Sequence, residues 1–587
     1  MLHQRCDRQR LDRSGRGLAL TLLTVLFLTG CGGESPTPTP VSPNPTQTNE
    51  SSPETPAEPA WFVEVAQSIG VDWVHRSGAN REKLLYLPEI VCGGAALFDA
   101  DRDGDLDLYL VQGGLAATPG SPASKNAYYV NQGDGTFVDR TEASGAAASG
   151  YGMGVAANDL DGDGDIDLYL SNAGDNIVLL NDGDGTFTEA RDALGATGSG
   201  LTASVAFFDL EGDGDLDLFV TEYVGWTPLS EFKCSGSRTG GDYCQPNNYQ
   251  AETADRLYRN DDGRFVDISR AAGIHEAQGY GLGVVTGDFD GDGRLDVFVA
   301  NDGTHNHHWY QTSPGVFEER GLRFGTAVNL AGRVEAGMGV AAVDVDGDLD
   351  LDLFLSHLHQ ESNTLYLNEG SYFEDATDRY GLGGSSLPYT GFGLGFYDFD
   401  GDADLDLFVA NGRVMRPVRE TQTSDPYAEP NLLYVNDGKR FVPHSKEGGT
   451  DTPLILTSRG VSFGDIDNDG DIDAVVVNRD APVSILRNVR GDDAAEHWVG
   501  FSVRDGEAAF AHGARVQVIA GGKAQSRTID PHSSYLSSND ARAHFGLGAA
   551  TAIDPVRVTY ADGTVEVFEV PAIDRYVPLV RGEGSKP

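Results

Sequence analysis

Basic residues are scarce in this 587-residue chain: 42 Lys and Arg stand against 90 Asp and Glu, for a formal net charge of -48. Such a surface repels phosphates, and no Lys/Arg stripe offsets the repulsion, so nucleic acid is excluded as a partner. Long apolar runs are missing after Leu28, so no segment of the body is built to span a bilayer. Cysteine is confined to Cys6, Cys31, Cys92, Cys234 and Cys244. No ordered Ser/His/Asp set and no Gly-rich phosphate cradle is present, which withholds the usual triad and nucleotide chemistries.

Acid and glycine are what the chain has in excess, with 75 Gly. Scattered acids would indicate disorder. These instead follow a nine-residue phrase, Asp-x-Asp-x-Asp-Gly-x-x-Asp, repeated with small departures from Asp99, Asp159, Asp209, Asp288, Asp344, Asp398 and Asp465. Each copy crowds four or five carboxylates into one short loop. The crowding is unfavourable unless a cation sits among them, and all-oxygen donors point to a hard ion, Ca²⁺ before Mg²⁺.

The phrase lies in a wider frame. Small and apolar residues precede it, as in Gly152-Met153-Gly154-Val155, and an apolar strand follows, as in Leu168-Tyr169-Leu170. An Asn-x-Leu-Tyr-x-Asn element comes next, best seen at Asn363–Asn368 and Asn431–Asn436, then a Gly-x-Phe turn and a closing Phe-x-Glu/Asp. Four short strands per repeat form the pattern of a propeller blade. The closing Phe recurs at Phe62, Phe137, Phe187, Phe265, Phe317, Phe373 and Phe441; Phe62 precedes the first loop, and the seventh loop has none after it. The expected fold is therefore all-β: a seven-bladed β-propeller over 61–490, with Phe62-Val63-Glu64 as the outer strand of the last blade, which removes two open sheet edges.

An EF-hand opens with similar acids but needs a bidentate Glu at loop position twelve and flanking helices. Position twelve here is Leu110, Leu170, Val220, Val299, Leu355, Val409 or Val476, each inside an expected strand. The phrase resembles instead the FG-GAP and VCBS repeats of integrin-type propellers. That resemblance implies up to seven Ca²⁺, each held by the side chains of positions one, three, five and nine and the backbone carbonyl of position seven. In this sequence the first loop then offers Asp99, Asp101, Asp103, Asp105 and Asp107, and the second Asp159, Asp161, Asp163, Asp165 and Asp167. The third offers Asp209, Glu211, Asp213, Asp215 and Asp217, and the fourth Asp288, Asp290, Asp292, Arg294 and Asp296. The fifth offers Asp344, Asp346, Asp348, Asp350 and Asp352; the sixth Asp398, Asp400, Asp402, Asp404 and Asp406; the seventh Asp465, Asp467, Asp469, Asp471 and Asp473. Arg294 fits the rule, since only its carbonyl is needed. Glu211 is a longer arm that weakens the third loop. Leu349 and Ala403 stand where the tight turn prefers Gly, at a backbone cost of about 1 kcal/mol. The fifth and sixth loops are thus expected to be weakest or last filled. At the roughly 10⁻⁴–10⁻³ M affinity of extracellular Ca²⁺ modules, such ions act as permanent staples rather than sensors.

The N-terminus has the form of an export signal. Arg5, Arg8, Arg10, Arg13 and Arg16 precede the apolar run Leu18 to Leu28, and Leu28-Thr29-Gly30-Cys31 follows. This ending resembles the lipobox of bacterial lipoproteins, which implies cleavage of residues 1–30 and a lipid on Cys31; Gly32 resembles the outer-membrane sorting pattern. Residues 31–60, rich in Pro, Thr, Ser and Glu, read as a solvated tether. The membrane is then a partner through the anchor only. Cys234 and Cys244 flank a short loop in the longest inter-repeat interval, and export favours a disulfide between them. Cys92, beside Gly93-Gly94, reads either as a small buried hydrophobe or as a reactive thiol.

After Asn488 the repeat stops. A different β pattern over 495–582 suits a small β-sandwich, with a hairpin from Val556 to Val567 turning at Asp562-Gly563. Gly513-Ala514-Arg515-Val516, Ser534-Tyr535-Leu536-Ser537 and the His544-Phe545-Gly546-Leu547-Gly548 run resemble the ASPIC/UnbV domain. With Leu87-Pro88-Glu89, Met338-Gly339-Val340 and Asn431-Leu432-Leu433-Tyr434, the stretch 61–582 resembles the cartilage acidic protein (CRTAC/ASPIC) family. The resemblance implies an extracellular, integrin-α-like Ca²⁺ propeller and no particular reaction.

Two groups of residues carry possible chemistry. His305, His307 and His308 follow the fourth loop's strand, and His357 and His359 the fifth's; they read as exposed strand-end residues or as a transition-metal or catalytic site on one face. His75, Glu89, Glu335, Tyr389 and Arg459 precede inner strands, where they either solvate a channel mouth or line a site for a polar ligand. The leading expectation is an envelope scaffold that recognises an unidentified protein or glycan. A Ca²⁺-dependent polysaccharide lyase or hydrolase with a channel-mouth site is the alternative, favoured by a deep pocket holding His75, Glu89 and Arg459 together. A structural envelope or matrix component is the third.

Overall fold

A computed structural model describes residues 59–80, 84–118, 125–190, 194–196, 198–236, 240–417, 423–490, 496–506 and 510–587. The expected signal over 1–30, Cys31 and nearly all of the tether lie outside the described residues. The chain is all-β. No helix among the described residues is long and apolar enough to cross a membrane.

Strand pairing groups the repeats into four-stranded antiparallel units; in all but the last the strands follow sequence order, and the second and third units are joined into one sheet where residues 199–201 pair with 173–175. The first unit is Ala95–Phe98, Asp107–Leu110, Ala127–Asn131 and Phe137–Asp139. The last is Ser458–Gly464, Asp473–Asn478 and Ser484–Asn488, and its fourth strand is Phe62–Glu64, with Phe62 opposite Asn488 and Glu64 opposite Leu486. In the fourth strands Phe137 and Phe187 are buried while the next two residues are exposed, as fits an outer edge held by one anchoring aromatic. The first strands Gly152–Asn158, Gly281–Gly287 and Ser458–Gly464 are buried along their whole length.

Apolar clusters lie between successive units. Leu108, Leu110, Val475 and Ile485 join the last unit to the first, and Tyr109, Val155, Leu168 and Leu179 join the first to the second. Fully burying each such side chain contributes about 1.5–3 kcal/mol, so the inter-unit faces dominate the stability of this body.

Residues 497–580 form two further sheets. His497–Arg504 pairs antiparallel with Ala543–Gly548 and parallel with Tyr576–Val580; Arg515–Ala520 lies between Lys523–Thr528 and Val556–Thr559, which pairs with Val565–Phe568. Val499, Phe501, Val516, Val518, Phe545 and Val558 from both sheets share one core.

The segment 533–540 of this C-terminal region runs among the first strands of the repeat units. Leu536 O accepts from Val155 N at 3.1 Å, and Ser534 exchanges both backbone hydrogen bonds with Val340 at 2.8 and 3.0 Å. Ser538 N donates to Ala95 O, and Asp540 N to Phe463 O, each at 2.9 Å. Ser534 Oγ donates to Val461 O and accepts from Leu394 N. Tyr535, fully buried, reaches past these strands to donate its hydroxyl to Val91 O at 2.8 Å. Glycine makes the approach possible: a Cβ on Gly94 would stand 1.9 Å from Leu536 O.

Candidate metal centres

Every acidic phrase sits between the first and second strands of its unit, with its ninth position as the first residue of the second strand. Position one folds the loop around itself: Asp99 accepts from Asp103 N and Gly104 N at 3.1 Å, and Asp159 from Gly162 N and Gly164 N at 2.8 and 2.9 Å. Position five accepts the backbone N–H of position seven at 2.8–3.1 Å in every loop. Position nine is buried and accepts a third-strand Asn or Gln N–H at 2.7–2.9 Å.

Ligand atoms converge. One oxygen from each of Asp99, Asp101 and Asp103 lies within 4.8 Å of the others, as do those of Asp159, Asp161 and Asp167, of Asp288, Asp290 and Asp292, and of Asp344, Asp346 and Asp348. Asp290, Asp398, Asp400 and Asp467 each keep a buried carboxylate oxygen without a hydrogen-bond partner. Orphaned, convergent oxygens can hold a metal, and the donor set suits a hard cation. With no cation counted, burial lifts Asp99 and Asp159 to about 6, Asp107 to about 7 and Asp167, Asp217, Asp296 and Asp352 to about 8, the neighbouring carboxylates adding to the rise.

Position-seven side chains of the first, second and sixth loops turn away from the cluster, whereas Arg294 of the fourth reaches back to its own loop's Asp292. Asp105 accepts from Asn468 Nδ2 at 2.7 Å, Asp165 pairs with Arg102, and Lys523 meets Asp404 at 2.5 Å. Arg294 donates to Gln311 O at 2.7 Å and pairs with Asp292.

Backbone strain falls at two positions per loop. Position six is left-handed in all copies, including Leu349 at φ 79° and Ala403 at φ 75°. Position four is left-handed as well, and there Arg102 at φ 61° and Asn468 at φ 55° replace Gly. The first and seventh loops therefore carry a non-glycine strain that the phrase alone does not single out, mild for Asn and larger for Arg.

The closing Asn of the Asn-x-Leu-Tyr-x-Asn element stitches loops together. Asn181 Nδ2 donates to Ala100 O at 2.7 Å, Asn368 Nδ2 to Phe289 O at 2.9 Å and Asn488 Nδ2 to Phe399 O at 2.8 Å, each in the preceding unit's loop. Asn131 of the first unit bonds Ile466 O of the seventh at 2.8 Å. The recurrence of this Asn was the signal for its role.

The family models match on this framework. The FG-GAP-like repeat model covers residues 99–170, 159–220, 247–299, 288–355 and 344–409, and the ASPIC and UnbV model covers 504–586. The chain carries FG-GAP-like repeats followed by an ASPIC and UnbV domain. Cartilage acidic protein 1 of Homo sapiens is 24% identical over 358 residues, spanning 59% of this chain and 42% of that protein. Its Xenopus tropicalis counterpart is 26% identical over 324 residues, 53% of this chain and 38% of that protein. The chain thus spans less than half the length of the curated relatives it matches. A solved lectin from Agrocybe aegerita, described as recognising non-reducing terminal N-acetylglucosamine, aligns at 16% identity and TM-score 0.36, over 67% of this chain and 86% of the lectin.

Family motifs of the C-terminal domain explain its docking. Gly546, in the His-Phe-Gly-Leu-Gly run, lies so close to the sixth loop that a Cβ would stand 1.9 Å from Asp398 Oδ2. Tyr576 donates to Asp465 Oδ2 at 3.0 Å, Arg542 to Asp465 O at 3.0 Å, and Arg515 to Leu349 O at 3.0 Å. The fifth to seventh loops are thus roofed. The first three border two clefts: one of about 540 Å³ lined by Asp99, Asp163, Arg504 and Tyr576, and one of about 630 Å³ lined by Asp159, Asp209, His512 and Tyr560.

The other candidates are sealed. Cys234 and Cys244 are bonded at 2.07 Å. Their insertion reaches across the ends of the first strands opposite the metal loops: Glu231 accepts from Leu87 N at 2.9 Å, and Asp242 from Tyr427 OH at 2.7 Å. His75, Glu89 and Arg459 are all buried there rather than solvated at a mouth. Arg459 donates to Ile90 O, Gly412 O and Arg413 O and stacks 3.9 Å over Phe392. Burial raises Glu89 to about 8, lowers His75 to about 4 and raises the Cys92 thiol to about 12, so Cys92 is an inert buried thiol. Glu335 and Tyr389 are half-buried, and Glu335 accepts from Asn329 Nδ2.

The histidines divide: His305 is exposed and His359 half-exposed, as strand-end residues would be, while the other three turn inward. His307, His308 and His357 are buried. His308 stacks among Phe289, Phe298, Tyr310 and Phe373 and bonds Thr326 Oγ1, while His307 faces Asp255 and Trp309. His359 bonds Gln360 instead, and His305 gives its carbonyl to Asn301.

Proposed function

We propose that the chain is a seven-bladed propeller fastened by up to seven Ca²⁺, with a β-sandwich docked on its loop face, exported and tethered by lipid on Cys31 to an outer membrane. Its role is recognition of a protein or glycan. One observation carries this reading: segment 533–540 runs hydrogen-bonded among the first strands of the repeat units, and the insertion packs over their other ends. A propeller enzyme needs an open mouth with convergent acid and base groups. Here His75, Glu89 and Arg459 share one neighbourhood and are all buried, with Arg459 spent on backbone carbonyls and His75 Nε2 against Cys92 Sγ at 3.8 Å, and none of the three lines the clefts described above. That opposes the lyase or hydrolase alternative. The larger clefts lie beside the first three loops and are only partly roofed, and a smaller apolar one of about 170 Å³ lies beside the insertion, lined by Leu87, Ile90, Tyr243 and Asp302. The ring reading is supported by the Leu108–Val475 cluster and by the Phe62–Asn488 pairing. The calcium reading is supported by the orphaned loop oxygens.

The test uses the purified chain, immobilised in Ca²⁺ or EGTA, against a glycan array and solubilised native envelope. Ligands retained in Ca²⁺ and released by EGTA are expected. The same partners with and without Ca²⁺ would sink Ca²⁺-dependent recognition, and turnover of a polysaccharide by the Ca²⁺-loaded chain would restore the enzyme.

A further inference from the structure

Away from the acidic loops, one cluster has a different donor chemistry. His512 lies in the connection before Arg515–Ala520, and Asp530 and His532 follow Lys523–Thr528. One ligand atom from each lies within 4.8 Å of the others. The two imidazoles stand 5.4 Å apart, and His532 packs on Phe207 of the third repeat unit at 5.4 Å.

The cluster is under-satisfied. A neutral imidazole brings one donor and one acceptor. His532 Nδ1 meets Asp530 Oδ1 at 3.1 Å, but His532 Nε2 and both nitrogens of His512 are buried without a hydrogen-bond partner. The His532 side chain is 0% exposed. Buried polar atoms left in this way point to a missing partner.

We propose that His512, Asp530 and His532 bind a divalent transition-metal ion of the Zn²⁺ class. Imidazole and carboxylate are borderline to hard donors, the mixture that suits Zn²⁺ rather than Ca²⁺. Zn–N and Zn–O bonds of about 2.0–2.1 Å place adjacent tetrahedral donors about 3.3 Å apart. The ligand atoms of His512, Asp530 and His532, within 4.8 Å of one another, need to draw together by only about 1.5 Å to reach that spacing. Three protein ligands leave a coordination position, and His512 lines the cleft of about 630 Å³ beside the second and third acidic loops. A ligand oxygen or nitrogen entering that cleft has a metal to meet, separate from the loop carboxylates.

The experiment keeps the whole exported chain and saturates it with Ca²⁺, so that the acidic loops do not compete. Co²⁺ is titrated as a visible probe, Zn²⁺ is used to displace it, and bound metal is counted by mass spectrometry. One Co²⁺ per chain with ligand-field bands is expected, displaced by Zn²⁺. H512Q and D530N should each weaken it by about 10-fold or more with circular dichroism and Ca²⁺ stoichiometry unchanged. No Co²⁺ or Zn²⁺ uptake by the Ca²⁺-loaded wild type overturns the proposal, whatever the variants do. Uptake that persists unweakened in H512Q overturns it as well.

Discussion

Tyr535 offers the sharpest test of how the two parts of this molecule are held together. Its ring is buried against Phe392 at 5.0 Å, and its hydroxyl donates to Val91 O at 2.8 Å. Tyr535→Phe keeps the ring and removes one buried hydrogen bond, a loss of about 1 kcal/mol. Tyr535→Ala also removes the ring, and buried aromatic truncations cost about 3–5 kcal/mol. The expected order in urea unfolding, in saturating Ca²⁺, is therefore wild type, then Phe about 1 kcal/mol lower, then Ala about 4 kcal/mol lower.

Hydrogen exchange locates the effect. The amides of Val155 and Val340 donate to Leu536 O and Ser534 O, so they report directly on whether segment 533–540 is seated. Their protection should fall in Tyr535→Ala, while the amide of Val178, whose residue is buried in the third strand of its unit, stays protected. If Tyr535→Ala unfolds within about 0.5 kcal/mol of wild type, the range of an ordinary surface substitution, the segment is a passive tail. The case against a channel-mouth active site then collapses with it.

Replacing Asp159 and Asp163 together by Ala should remove one Ca²⁺ per chain and lower the melting temperature; unchanged stoichiometry means the ligand assignment is wrong. Ala403→Gly relieves a left-handed φ of 75°, and against the entropy that Gly adds to the unfolded chain a net gain of about 0.5 kcal/mol is expected by urea titration. Asn131→Ala removes donations to Leu106 O and Ile466 O and should cost about 2 kcal/mol; a loss under 0.5 kcal/mol would show that the stitch between first and seventh units contributes little. Burial holds His308 down at about 3 and His357 at about 4, below the unfolded value of 6.5, so the unfolded chain takes up protons first and stability falls as pH drops below 6.5. Each contributes about 1.4 kcal/mol of loss by pH 5.5, so His308→Phe should shrink the difference between unfolding at pH 7.5 and 5.5 by about that much, and an unchanged difference would refute a neutral buried His308.

The all-β class and the family were legible because their signals are local: a phrase within nine residues, and a strand period within five. The recurring Asn was visible too, but its bond to the neighbouring unit's loop was not, since the partner carbonyl has no side-chain signature. The same limit hid the seating of Ser534-Tyr535-Leu536-Ser537. Its mixed polarity has no periodicity, and Tyr535 finds its acceptor 444 residues away. Histidines and a Glu before apolar strands read as exposed chemistry because polarity stood for exposure. Burial put His308 in an aromatic box and Glu89 under the insertion. His512 and His532 gave no motif because their spacing follows from two separate sheet connections.

Docking and the proposed ion sites share residues in only some of the repeat units. The fifth to seventh loops give Leu349 O, Asp404 and Asp465 to Arg515, Lys523, Tyr576 and Arg542. With the proposed Ca²⁺ in place, an ion that prefers the docked arrangement strengthens it by RT ln(1 + [Ca²⁺]/Kd), about 2.7 kcal/mol at hundredfold excess. Linkage works both ways, so a docked domain must tighten those same sites. The left-handed Leu349 and Ala403 are therefore strained loops that the C-terminal domain helps to hold. The first three loops are less tied, the first by a single 3.5 Å bond from Arg542 to Gly104 O, and they border the clefts. They are where an ion can change its coordination for an incoming ligand without undocking the domain.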